Sequence, residues 1–242
     1  MPSSKSFSSA FSASNSATLA SNLLILALIA KFLLGVALVG ALIFLPAGTF
    51  SYFNGWLLMG ILFVPMFLAG IVMMFKNPDL LKSRLDAKEK QREQSIVIKL
   101  SGLMFLAGFI VAGLDFRFGW LTLPKGVVIV AAIVFLVAYI LYAEVLRENT
   151  YLSRTIEVQE NQKVIDTGLY GVVRHPMYSA TVFLFLSMPL ILGSVMSFVV
   201  MLVYIPIINA RIKNEEKVLS EGLPGYKEYK QKVRNKVIPF IW

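Results

Sequence analysis

The sequence predicts an all-α integral membrane protein of about six transmembrane helices that ends in a tight C-terminal helical hairpin. Three observations predict it. Hydrophobic residues make up 57% of the 242 and charged ones only 15%, whereas soluble domains carry about 45–50% apolar and about 25% charged residues. The apolar residues gather in runs near the 20 or so that a helix needs to cross a bilayer. Lys and Arg fall almost entirely in alternate breaks between those runs.

Residues 1–22 are rich in Ser and Ala, with Lys5 the sole charge, and are expected as a disordered tail. The first apolar run, Leu23 to Leu45, contains Lys31 and stops at Pro46-Ala47-Gly48. It is longer than a signal-peptide core and no convincing cleavage pattern follows Pro46, so it reads as a retained helix. Further runs extend from Trp56 to Phe75, from Ile96 to about Gly113 and from Val127 to about Ala143. Residues 23–143 thus form a block of four spans with a basic loop at 76–95. In that loop Asn77-Pro78-Asp79 is a helix start: an N-cap, a proline at the first helical position and an acid in the first turn. Leu80, Leu81 and Leu85 alternate there with Lys82, Arg84 and Lys88, which suits a short amphipathic helix lying on the leaflet. Ala87 to Gln94 reads equally as a solvated linker.

Residues 144–242 form the remaining region. Met177 to Ile208 is too long for a single span. Pro189 and the break at Leu192-Gly193-Ser194 divide it into two arms with the tip at Gly193. Before the hairpin, Arg147 to Val173 is polar. Val158, Val164 and Ile165 alternate with Gln159, Glu160, Gln162 and Lys163, closing in the turn Asp166-Thr167-Gly168. This predicts an extended or irregular segment able to offer backbone groups to a ligand. After the hairpin, Ala210 to Val233 has helical character broken at Gly222-Leu223-Pro224-Gly225. Tyr226, Tyr229 and Trp242 beside basic residues suit the headgroup level.

Six spans put both termini on one side. Twenty of the 23 Lys and Arg fall on that side, Lys31 lies within the first span, and only Arg117 and Lys125 fall opposite. The positive-inside rule then places both termini in the cytoplasm. Orientation and anionic lipid account for the net charge of +9, so no nucleic-acid partner is implied. The absence of cysteine excludes disulfides, thiolate metal sites and thiol nucleophiles, and a single histidine excludes an imidazole metal cluster.

Two polar motifs flank the hairpin. The first, Gly168-Leu169-Tyr170-Gly171-Val172-Val173-Arg174-His175-Pro176-Met177-Tyr178, sets the sole histidine at a helix start. Such an N-terminus suits a bound carboxylate. The second is Arg211-Ile212-Lys213-Asn214-Glu215-Glu216. Arg211, Glu215 and Leu219 share one helix face, with Glu216 about 100° away. Arg211 and Glu215 read either as an ion pair in its weaker orientation or as a cation and a carboxylate at the lip of a cavity. Ionisable groups brought together at a membrane-embedded hairpin usually have a function.

Together with the Gly-Tyr-Lys-Glu-Tyr tail at 225–229, these motifs resemble the isoprenylcysteine carboxyl methyltransferase family and the related phospholipid methyltransferases. The resemblance covers roughly Gln162 to Trp242. It implies a cytoplasmic pocket for S-adenosyl-L-methionine and methyl transfer to a lipophilic acceptor reaching the site from the bilayer, most simply a carboxylate. Gln162, Lys163, Val164, Ile165 and Tyr170 would then contact the cofactor. His175, Pro176, Met177 and Tyr178 would line its pocket, and Glu215 would hold its amino group. Arg211 would be the catalytic residue facing the acceptor. Leu169, Gly171 and Ala180 stand where the family often has Pro, Arg and Gly. A carboxylate acceptor needs no general base, whereas an amine or phenol would need one, with Glu144, Glu148 and Glu216 the candidates. A membrane sterol or enone reductase using NADPH shares the Arg-His-Pro-x-Tyr motif, but the Glu215-Glu216 pair favours the methyltransferase. A transporter or scaffold fits less well, because the ionisable residues cluster at one face. The acceptor's identity and the oligomeric state are not encoded in these motifs.

Overall fold

The computed structural model describes residues 26, 28–76, 92–149, 151, 156 and 158–242. The tail at 1–22 and the amphipathic helix expected after Asn77 lie outside these residues. The chain divides into two units, residues 1–41 and 42–242. The first unit contributes the opening of helix α1 (Leu28–Ala47), and everything below concerns the second.

After α1 come α2 (Phe53–Lys76), α3 (Arg92–Phe118) and α4 (Lys125–Glu148). A short 3₁₀ turn at Gly168–Gly171 leads to α5 (Pro176–Ile191), α6 (Val195–Met201), α7 (Tyr204–Gly222) and α8 (Tyr226–Lys232). No strand occurs among the described residues, only an isolated antiparallel bridge between Thr122 and Ser194. Five apolar stretches are long enough to cross a bilayer: α1 to α4, and Val195–Gly222, which combines α6 and α7. At 16 residues, α5 is shorter, about 24 Å.

The spans outrun their apolar cores. α3 continues past Gly113 to Phe118 and takes in Asp115 and Arg117, and α4 continues past Ala143 to Glu148. Hydrophobicity sets how much of a helix sits in lipid, but backbone hydrogen bonding continues until something caps it. For α3 the cap is Gly119, at φ +63°, whose N–H bonds the Asp115 carbonyl at 2.7 Å.

The hairpin has its tip at Gly193, as the sequence predicts. Gly193 adopts φ +79°, a left-handed conformation costly for a residue with a Cβ. Asp115 is buried beside the tip. One carboxylate oxygen accepts from the Ser194 hydroxyl at 2.5 Å and the other from the Leu121 N–H at 3.0 Å. The Ser194 hydroxyl in turn caps α6 by accepting from the Ser197 N–H at 3.1 Å. The Tyr52 hydroxyl donates to the Leu192 carbonyl at 2.5 Å.

The second arm is not one helix ending near Ile208. It breaks at Leu202-Val203, and α7 then runs unbroken from its apolar start through Arg211 to Gly222. Pro206 explains the break. Its ring crowds the carbonyl four residues earlier, that of Leu202, and it has no N–H to offer it. The Ile205 N–H takes that carbonyl instead, at 3.1 Å. The arms are held by close packing of α4 along α5, and of α3 against α6 and α7. At Gly108 of α3 a Cβ would meet the Met201 Cε at 2.5 Å, and the Gly108 carbonyl accepts from the Ser197 hydroxyl at 2.8 Å.

Candidate functional site

At the end of the hairpin opposite Gly193 the chain forms a partly open cavity of about 430 Å³, within the usual range for small-molecule sites. Local chemistry builds one wall at the start of α5. Pro176 occupies the first helical turn, where its missing N–H costs nothing. The His175 carbonyl accepts from the N–H groups of Tyr178 at 2.9 Å and Ser179 at 3.1 Å. Both of these N–H groups are therefore already engaged within the helix.

The two adjacent glutamates of α7 do different things, because successive residues on a helix point about 100° apart. Glu216 is turned into the protein and is 5% exposed. Its Oε1 accepts from the Arg174 Nε at 2.8 Å and lies 3.2 Å from the His175 Nε2, while its Oε2 lies 3.0 Å from the Lys230 Nζ. Arg174 also donates through Nη1 to the carbonyls of Val233 and Arg234, both at 2.7 Å. The backbone N–H groups of Arg174 and His175 bond the carbonyls of Asn235 and Lys236. This cluster ties the α5 start, α7 and the C-terminal segment together.

Glu215 instead lines the cavity. Its Oε2 accepts from the Tyr178 hydroxyl at 2.5 Å, and its Oε1 lies 3.8 Å from the His175 Nδ1. The Arg211 Nε donates to the same Tyr178 hydroxyl at 3.0 Å. Arg211 and Glu215 are thus joined through a phenol anchored on the facing helix.

The loop before the hairpin forms the opposite wall. Gln162, Lys163, Val164 and Ile165 all reach the cavity in irregular, extended chain. Gln162 braces its own turn, its side-chain oxygen accepting from the Gln159 N–H at 2.8 Å. The Tyr170 hydroxyl accepts from Asn149 at 2.9 Å, and the Tyr170 carbonyl accepts from the Tyr229 hydroxyl at 2.8 Å. Burial pushes the Tyr170 and Tyr229 phenols up, so both stay protonated.

Of the sequence-nominated residues, Gln162, Lys163, Val164, Ile165, Tyr170 and His175 line this one cavity, as do Met177, Tyr178, Arg211 and Glu215. Pro176 is buried beneath the wall and shapes it without lining it. Sequence reasoning missed three contributors. Arg174 lies within the quoted motif but received no role. Tyr226 and Tyr229, expected at the headgroup level, face inward at 4% and 5% exposure. Their three-residue spacing after a glycine break was the available signal, since it puts both on one helix face. The third contributor is the apolar far end, made by Val97, Ile98 and Phe105 of α3 with Phe185, Tyr204 and Ile208.

The cavity is therefore bipartite. A polar part carries Glu215, His175, Arg211, Tyr178 and the irregular 162–165 chain, and an apolar part is lined by residues of α3, α5 and α7. The lining groups suit S-adenosyl-L-methionine in kind: a carboxylate to accept from an ammonium, backbone and amide groups for a nucleoside, and apolar walls around them.

Residues 121–224 match the family model described as phospholipid methyltransferase. The match begins just before α4 and takes in the loop, the hairpin and the whole of α7. Over this region the chain is similar to that family of membrane methyltransferases. No curated protein matches the chain.

Proposed function

We propose that the protein transfers a methyl group from S-adenosyl-L-methionine to a carboxylate on a lipophilic, membrane-partitioned acceptor. The observation that carries the choice of a carboxylate is the state of the acids that could serve as a base. Glu144 is paired with Arg147 at 2.8 Å, and Glu148 accepts from the Leu169 N–H at 3.1 Å. Glu216 is enclosed by Arg174, His175 and Lys230. None of the three lines the cavity, and the carboxylate that does is Glu215. An amine acceptor arrives protonated and needs a base, whereas a carboxylate arrives as a nucleophile.

The bound cofactor supplies a sulfonium methyl that is already electrophilic. In this reading Glu215 grips its ammonium, and the 162–165 segment with Tyr170, His175 and Met177 encloses the remainder. Arg211 presents its planar guanidinium to the acceptor carboxylate. Tyr178 holds Arg211 and Glu215 in fixed relation, so the two ligands meet in one orientation. Alignment and exclusion of water by the apolar end supply the rate. In this reading the acceptor's hydrocarbon lies among α3, α5 and α7, and the charge bias supports a cytoplasmic polar end with six spans, α5 included.

A second reading, N-methylation of a phospholipid amine, draws support from the family match itself. The family match also weighs against the reductase. Purified protein incubated with radiolabelled S-adenosylmethionine and either a prenylated cysteine or an aminophospholipid separates the readings. The carboxylate reading expects a base-labile methyl ester, and a base-stable methylamine would replace it with the second.

A further inference from the structure

Tyr226 is 4% exposed and lines the cavity, yet its hydroxyl has no hydrogen-bond partner among the described residues. A buried hydroxyl left unsatisfied costs free energy in the ligand-free protein. The cavity's neighbouring tyrosines are bonded: Tyr170 to Asn149, Tyr178 to Glu215, Tyr204 to Thr181 and Tyr229 to the Tyr170 carbonyl. Tyr226 departs from that pattern at a position fixed by packing. With Leu223, Tyr229 and Val233 it forms an apolar cluster against Val158, Val164 and Leu219. Leu219 lies one turn beyond Glu215 on the same face of α7. The Tyr226 ring therefore borders the part of the cavity that Glu215 serves. Burial first, and then the carboxylates of Glu216 and Glu215, push its phenol up. It stays neutral and able to donate.

We propose that the Tyr226 hydroxyl is a ligand-binding donor that takes the carboxylate at the amino-acid end of the cofactor, beside the ammonium held by Glu215. The proposal rests on reading this cavity as the S-adenosylmethionine site, and it adds how the amino-acid end is recognised. A zwitterion needs an acceptor and a donor side by side. Glu215 is the acceptor, and Arg174 is already committed to Glu216 and two carbonyls.

The test uses Tyr226→Phe in the full chain, purified in detergent. Two ligands are titrated by calorimetry: S-adenosylmethionine and its decarboxylated form, which keeps the ammonium and lacks the carboxylate. The variant should bind S-adenosylmethionine roughly tenfold more weakly and the decarboxylated form as the wild type does. Ligand-free thermal stability should be unchanged or raised, because an unsatisfied hydroxyl has been removed. Equal loss for both ligands would assign the hydroxyl to another part of the molecule and overturn the proposal. So would unchanged affinity for both, or a lowered ligand-free Tm without any change in binding. If the wild type binds neither ligand, the cofactor reading itself falls, and this inference with it.

Discussion

Glu215 and Glu216 show how one residue's step along a helix separates a carboxylate that lines the cavity from one buried in an ion cluster. If Glu215 binds the ammonium of the cofactor, Glu215→Gln removes a charge-assisted hydrogen bond worth roughly 1.5–3 kcal/mol. Affinity for S-adenosylhomocysteine should then fall by about tenfold or more, with thermal stability near that of the wild type. Glu216→Ala should do the reverse at the level of the fold, because it leaves the buried Arg174 cation without its carboxylate. Breaking a buried pair from one side costs about 3–5 kcal/mol, which thermal unfolding in detergent would register as a marked drop in Tm. A stable Glu216→Ala protein would mean that the cluster is not what joins α5, α7 and the C-terminal segment. Arg211→Lys keeps the charge and loses the planar fork. Turnover should fall at least roughly tenfold while cofactor affinity stays within about twofold. Equal loss of both would reassign Arg211 to the cofactor side.

At the scale of elements, the hairpin is held at its two ends by different means. The cavity end is held by the charged cluster, and the far end by Asp115, which ties α3 to the Gly193 turn through Ser194. Asp115→Ala should cost about 2–4 kcal/mol, since the Ser194 hydroxyl and the Leu121 N–H both lose a buried acceptor. Thermal unfolding measures that cost, and an unchanged midpoint would show that the turn is fixed by packing alone. Asp115 is also an element-scale lesson in reading. By sequence it lies just past an apolar run and looks like the start of a loop. In the structure it is the last helical turn of α3 that carries it to the hairpin tip. The break at Leu202-Val203 was legible in Pro206, but only to a reader who followed the proline's ring back to the carbonyl it crowds.

For the whole molecule, the charge bias predicts that the polar end of the cavity and the α3–α4 turn face opposite sides of the membrane. The chain contains no cysteine, so single cysteines can report this directly. Glu160 and Lys125 are both exposed. In intact cells a membrane-impermeant thiol reagent should label Lys125→Cys and spare Glu160→Cys until the membrane is permeabilised. Labelling of Glu160→Cys in intact cells would invert the topology and move the proposed site to the other face.

Much of this protein was fixed by local sequence alone. The apolar runs determine helices long and apolar enough to cross a bilayer, because backbone polar groups in hydrocarbon must be satisfied within the helix. Gly193 determines the hairpin tip, because a left-handed residue was needed there. The helical period determines that Arg211 and Glu215 share a face that Glu216 does not. Tertiary structure decided what each face meets. Only packing turned Tyr226 and Tyr229 inward from a segment that reads as a surface anchor. Packing alone also enclosed Glu216 with Arg174 and Lys230, residues 42 and 14 positions away, and set α3 residues as the apolar end of the cavity. Periodicity fixes directions about a helix axis, and the partners in those directions come from other parts of the chain.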